Sequence, residues 1–540
     1  MKASSAGKMK ASSSHTLPRI QRNGAGIILI SGRKRIFVIL SALLALFLGA
    51  LDTLIMGAAM PTIVSDLGGI EFYSWVFSVY LLSRAVSLPI FGKLCDLFNS
   101  KTLYLVSLVI FLLGSICAGM SYSMIQLTFF RAVQGLGSGG NFALAYIVLA
   151  DISPLEKRGK MMSLISFVWG VSSVLGPTIG GFIVNYFSWR WIFFINVPLG
   201  IIALVGIGIY LEETREKKKG AAIDYLGALT LSTTILALLT AFLLGGSSYP
   251  WMSPPIIGLF ILTLGSGAIF NFVERRAKEP ILPISFFKIQ GFSMGNASAF
   301  LASFAIFSLS AFSPLFIQDA LDKTPAQLGL AMVPLSLAWS MGALLCGQVV
   351  HLIKERPAAL LGAVLLLTGC GMTLTFSVAT SLSECSAALA VAGLGMGFIS
   401  ISTLLIVQNS FPLEDLGIAT ASQQFSRTLG GTVGIGISGS LLTARLQESI
   451  KTLISPDVLD KIVPSFSTHL QQGIEKIFRP EVQSLLGPNI RKALRESIAQ
   501  GVSLVFWASL ITALLCLFFS FRLPKGMNHT KKKGEQLNHG

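Results

Sequence analysis

The sequence predicts an all-α integral membrane protein, built as two six-helix pseudo-symmetric bundles plus two inserted central helices, fourteen transmembrane helices in all. Three observations predict it. The chain has 540 residues, 53% hydrophobic and 12% charged, with a mean hydropathy of +0.72, whereas a soluble domain carries about 25% charged residues. Apolar runs close to the roughly 20 residues that cross a bilayer recur fourteen times, beginning near Ile36, Phe72, Leu103, Met124, Met161, Trp191, Tyr225, Pro255, Gly291, Ala326, Ala358, Ser386, Leu416 and Gly501. Finally, Gly135-Leu136-Gly137-Ser138-Gly139 in the fourth run returns as Gly393-Leu394-Gly395-Met396-Gly397 in the twelfth (393 − 135 = 258), and Gly92 returns as Gly347 at nearly the same offset (347 − 92 = 255). A repeat in shared register implies two bundles, with the seventh and eighth runs inserted between them.

Charge orients the spans. The net charge of +16 is uneven: the first 35 residues hold eight Lys/Arg and no acid, and the last residues carry Lys525, Lys531, Lys532 and Lys533. By the positive-inside rule both termini are expected in the cytoplasm, and an even number of spans agrees with that. The loops at Glu156–Lys160, Arg215–Lys219, Arg275–Lys278 and Lys354–Arg356 fall on the same side. So hydrophobic a chain is not expected to use its basic charge on nucleic acid. The apolar segment Gly24–Ile30 is too short for a signal-peptide core, so insertion is expected through the first span. The resulting division is a basic tail (1–35), a first bundle (36–211), the inserted pair with its linkers (212–289), a second bundle (290–522) with an outer loop at about 446–500, and a tail (523–540). In that loop Ile462, Phe466, Leu470, Ile474 and Phe478 recur every four residues, as in an amphipathic helix that either caps the vestibule or lies in solvent or on the membrane.

Several chemistries find no residues. Cys95, Cys117, Cys346, Cys370, Cys385 and Cys516 have neither disulfide-framework nor metal spacing. No phosphate-binding loop and no nucleophile–base set occur, so no cofactor, no metal and no enzymatic reaction are expected. An ion gradient is the remaining common source of work.

The informative residues are ionisable ones at membrane depth. Asp52 lies about two-thirds along the first span, and Arg131 lies early in the antiparallel fourth. A bare carboxylate at such depth costs about 2.5–3.5 kcal/mol, so it is expected to face a partner or a cavity. The two residues reach similar depth, are expected to interact, and form a candidate proton-coupling pair, a structural ion pair being the alternative. Arg84 sits midway along the second span, where it could anchor substrate, serve a gate or pair with Asp52. In the second half Asp319, Asp322, Glu384, Glu414 and Asp415 fall at span ends or in loops, while the thirteenth span offers Gln423, Gln424 and Arg427. One Asp against three arginines favours neutral or anionic amphiphiles over dications, and Arg84, Gln134, Gln424 and Arg427 are the candidate substrate residues. The stretch Gly170–Gly181, with Gly176, Pro177, Gly180 and Gly181, would disrupt a soluble helix but is tolerated in lipid, where small residues let helices approach closely.

In order along the chain, Leu51-Asp52-Thr53 with Met60-Pro61, Gly92-Lys93-Leu94-Cys95-Asp96, Arg131-Ala132-Val133-Gln134-Gly135-Leu136-Gly137, Gly176-Pro177 with Gly180-Gly181, and Ser188-Trp189-Arg190-Trp191 through Asn196-Val197-Pro198 resemble motifs of the major facilitator superfamily, in its fourteen-spanner drug/proton antiporter branch (QacA/EmrB-like). The resemblance implies a monomeric plasma-membrane transporter that exports small amphiphilic or lipophilic molecules in exchange for protons by alternating access. It implies coupling at Asp52 and Arg131, and gating at Gly92, Asp96 and the glycine–proline stretch. Narrow-substrate exporters or importers, or a transport-dead sensor, are the alternatives on the same fold. The chain departs from the pattern at Asn99-Ser100, where Gly-Arg is usual, at Ser172, where glycine is frequent, and at Arg84. Asn99 is expected to keep the turn by adopting glycine's positive φ.

Overall fold

A computed structural model describes residues 32–68, 72–213, 223–246, 249–453 and 488–525. The first half comprises α1 (Gly32–Leu67), α2 (Tyr73–Leu97), α3 (Ser100–Gly119), α4 (Met124–Asp151), α5 (Arg158–Tyr186), and a short turn α6 (Trp191–Phe194) that runs into α7 (Asn196–Tyr210). The inserted pair is α8 (Tyr225–Leu244) and α9 (Pro254–Glu274). The second half comprises α10 (Gln290–Leu315), α11 (Pro325–Ile353), α12 (Glu355–Thr373), α13 (Leu382–Asn409), α14 (Leu416–Leu453) and α15 (Pro488–Phe521). Among the described residues, thirteen spans are long and apolar enough to cross a membrane. The one that falls short is α14, a 38-residue helix diluted by Gln423, Gln424, Arg427 and many Ser, Thr and Gly residues.

The glycine repeat is the packing device of both halves. A side chain on Gly135 would strike the Tyr80 carbonyl of α2, and one on Gly137 the Phe111 backbone of α3. In the second half Gly393 meets Leu335 of α11, and Gly395 meets Leu366 of α12, in the same order. Central helices α4 and α13 can therefore lie in backbone contact with two neighbours each, the approach that small residues permit in lipid.

The inserted helices do not separate the halves. Leu231, Ile235 and Leu239 of α8 form one buried cluster with Leu82, Ala85 and Val86 of α2, and Phe425 and Leu429 of α14 pack against it. At one end the Trp251 indole donates to the Ser440 hydroxyl of α14. At the other, Lys93 of α2 pairs with Glu279 at 3.1 Å. The pair thus straps one side of the junction between the halves.

Several sequence expectations need correction. Helix α1 begins at Gly32, inside the stretch assigned to the tail. The outer loop expected at about 446–500 is shorter, because α14 runs to Leu453 and α15 starts at Pro488. Leu446 and Ile498 are buried in the core with Leu442 and Val502, so apolar packing extends both helices past the bilayer; 38 residues span roughly 57 Å. The periodic Ile462–Phe478 segment lies outside the described residues. Asn99 does not take a positive φ: at φ −61° and ψ 114° it is the N-cap of α3, accepting from the Thr102 amide. The matching linker residue in the second half, Lys354, takes the positive φ instead (67°), with no side-chain cap.

Candidate functional site

Asp52 and Arg131 are fully buried and joined, Arg131 Nη1 donating to Asp52 Oδ2 at 2.5 Å. Gln134, one turn along α4, accepts from the same Nη1 at 2.8 Å and donates to Asp52 Oδ1 at 2.8 Å. Asn196, at the start of α7, donates to Asp52 Oδ1 at 3.2 Å and to Ser115 Oγ at 3.0 Å. The Arg131 guanidinium lies 4.1 Å over the Tyr80 ring, and the Tyr80 hydroxyl shares a 2.7 Å hydrogen bond with Ser138. One carboxylate therefore ties together α1, α4 and α7. Three donors converge on an ionised Asp52, an arrangement that offsets the cost of burying charge. Adding a proton removes the charge that Arg131 neutralises and places an O–H where a donor now points, so the ion pair is weakened. Gln134, expected at the substrate, belongs to this lattice and is fully buried within it.

At the end bearing the basic loops the two halves close on each other. Asp96 of α2 accepts the Gly417 and Ile418 amides of α14, both at 2.8 Å. These amides belong to the first turn of a helix, where N–H groups lack intrahelical partners and the dipole favours an anion. Gly92 lies so close that a side chain there would strike Ala421 and the Gly417 carbonyl. The pseudo-symmetric contact sets Gly347 of α11 against Gly159 of α5, with His351 at the position equivalent to Asp96. Further along α5, Gly170 abuts Ser340 of α11, and Gly176 abuts Leu54 of α1, two residues from Asp52. Gly180 is buried, the side chain of Pro177 lies outside the described residues, and nothing stands within 4 Å of a Cβ on Gly181. Gly181 therefore does not mediate the close approach expected of it in this conformation.

Arg84 is 9% exposed and its side chain makes no ion pair or hydrogen bond among the described residues, so it is not the partner of Asp52. Its guanidinium instead lies 4.2 Å over Phe142 and 5.4 Å from Trp169. Arg427 donates to Gln424 at 3.3 Å and lies 5.7 Å from Trp339.

A model of the Major Facilitator Superfamily matches residues 42–435. The chain belongs to the major facilitator superfamily. Among curated relatives it is 34% identical over 489 residues to the multidrug transporter protein MdtP of Bacillus subtilis (strain 168), covering 90% of each chain. It is 32% identical over 482 residues to multidrug resistance protein 3 of the same organism, covering 89% of this chain and 93% of that one. Among solved structures, the proton:xylose symporter XylE shares the fold at a TM-score of 0.56 and 14% identity, over 91% of this chain and 96% of that one.

Within this superfamily chain, sequence reasoning missed Tyr80 and gave Asn196 no role. Tyr80 carries no motif, and only its hydroxyl within an apolar run marked it. The signal for Asn196 is its place as the polar residue that opens the apolar α7. A second polar anchor lies in the last turn of α1: Asp66 accepts from the Trp189 indole at 2.8 Å and from Arg190 at 3.0 Å. These bonds, Trp189 first and Arg190 second, hold the Asp66 carboxyl below its ordinary value of 3.8. A lowered carboxyl stabilises the fold above its unfolded value and loses that contribution as pH falls through the lowered one. Asp66 and Arg190 are partly exposed, so the contribution is about 0.5 kcal/mol after solvent screening. Asp66→Asn should lower thermal stability slightly at pH 7 and lose that deficit below pH 3.8. A deficit that persists unchanged in acid would show that the contact does not depend on charge.

Proposed function

We propose that the protein is a plasma-membrane exporter of small amphiphilic or lipophilic compounds, driven by proton entry through alternating access, acting as a monomer with both termini in the cytoplasm. The observation that carries this reading is the fully buried Asp52 held by Arg131, Gln134 and Asn196, in a chain whose relatives include one named a multidrug transporter protein and one named a multidrug resistance protein. An intramembrane carboxylate with a switchable set of donors is a proton carrier by default. Protonation frees Arg131 and loosens α1 from α4 and α7. Because Leu54 rests on Gly176, α1 passes the change to α5, which meets α11 at Gly170 and Gly159. Parting of the halves then requires Asp96 to release Gly417 and Ile418, so proton binding and opening at the basic-loop end are linked.

The test is proton flux in inverted vesicles carrying a pre-formed pH gradient, challenged with cationic, neutral and anionic amphiphiles. At least one class should dissipate the gradient in a saturable way. No response to any class would remove the exporter reading and leave a sensor or a narrow-substrate transporter.

A further inference from the structure

Two guanidinium groups stand at mid-depth without a carboxylate. Arg84, on α2 of the first half, is buried beside the rings of Phe142 and Trp169. Arg427, on α14 of the second half, lies beside Trp339 and Gln424. Tyr146 of α4 lies beside Phe142, their ring centroids 5.0 Å apart, and α2 and α14 come together where Phe425 and Leu429 pack against Leu82, Ala85 and Val86. Neither forms an ion pair among the described residues; the one carboxylate nearby, Asp52, is taken up by Arg131, Gln134 and Asn196.

Like charges gathered in a membrane interior are unfavourable unless something offsets them. Aromatic faces supply part of this through the ring quadrupole, and an arginine fork matches planar oxyanions in geometry. Aromatic rings beside each arginine also offer flat apolar surface for the body of an amphiphile. Resting on the exporter reading, we propose that Arg84 and Arg427 form a shared anion site, one from each half, for a planar aromatic molecule bearing a carboxylate, sulfonate or phenolate.

The site has a consequence for coupling. Moving one monoanion outward while one proton enters transfers two charge equivalents in the same direction, so transport is electrogenic and is driven by an inside-negative potential. Exchange of a monocation for one proton would move no net charge. An anion bridging both halves also neutralises the repulsion between the two arginines as the halves close around it, so substrate and closure favour each other.

The experiment uses the full chain in proteoliposomes and three probes with the same ring: naphthalene-2-sulfonate, naphthalene-2-methanol and trimethyl-(2-naphthyl)ammonium. Quenching of tryptophan fluorescence, with Trp169 and Trp339 beside the site, reads binding. The sulfonate should bind at least tenfold more tightly than the ammonium ion. Arg84→Gln and Arg427→Gln should each weaken it tenfold or more, while Arg84→Lys and Arg427→Lys, which keep the charge but lose the fork, should each bind more tightly than the glutamine variant and less tightly than the parent. A valinomycin-imposed inside-negative potential should accelerate sulfonate export. Equal binding of sulfonate and ammonium ion, or sulfonate binding unchanged in both glutamine variants, would overturn the anion site. Saturable proton flux driven by cations but not by the sulfonate would overturn it too while leaving the exporter reading intact.

Discussion

Asp52→Asn abolishes proton-driven transport, while the protein still exchanges labelled for unlabelled substrate across the membrane. The carboxamide has nearly the carboxylate's shape, so the cavity stays filled; what disappears is the group that alternates between charged and neutral. Exchange of substrate for substrate needs no such alternation. The same variant leaves Arg131 with 1% exposure and no counter-charge, and stranding one member of a buried pair costs about 3–5 kcal/mol. Arg131→Gln is correspondingly unstable because it strands Asp52. The double variant Asp52→Asn/Arg131→Gln regains most of the thermal stability of the parent, since a neutral pair has no stranded charge, yet it remains unable to couple to protons. Thermal unfolding of the four proteins in detergent, read as a double-mutant cycle, separates the structural role of the pair from its coupling role. Additive losses of stability would show that the two residues do not depend on each other; proton-driven transport by Asp52→Asn would place the carrier elsewhere.

Gly137→Val and its pseudo-symmetric counterpart Gly395→Val each prevent the chain from reaching a monodisperse folded state. A Cβ at Gly137 would meet the Phe111 backbone at its amide and Cα and the Ser107 carbonyl; at Gly395 it would meet the Leu366 backbone and the Gly362 carbonyl. Main-chain atoms cannot swing aside as a side-chain tip can, so α4 must move away from α3, or α13 from α12. Overpacking costs about 1–3 kcal/mol where neighbours can give, and here the displacement would spread along whole helices. Gly181→Ala is the control, because nothing lies within 4 Å of its Cβ and alanine favours a helix. Size-exclusion profiles and melting curves of the three variants decide the matter. Parental stability in both valine variants would show that the repeat does not hold the halves together.

Sequence by itself determined the architecture and the cast of ionisable residues. Span positions, the repeat and the isolation of Asp52 among arginines follow from hydropathy and from the cost of charge in lipid, both properties of local composition. Antiparallel depth was enough to bring Arg131 to Asp52. Only the tertiary structure decided partners, because a polar side chain's partner depends on which helix faces are turned together. It placed Gln134 inside the charge lattice, recruited Tyr80 and Asn196 to it, and set Asp96 on the first turn of α14 more than three hundred residues away. Arg84 was conspicuous in the sequence, but its three possible roles could not be separated there. The rings of Phe142 and Trp169 come from two other helices, and no spacing along one helix encodes such a meeting.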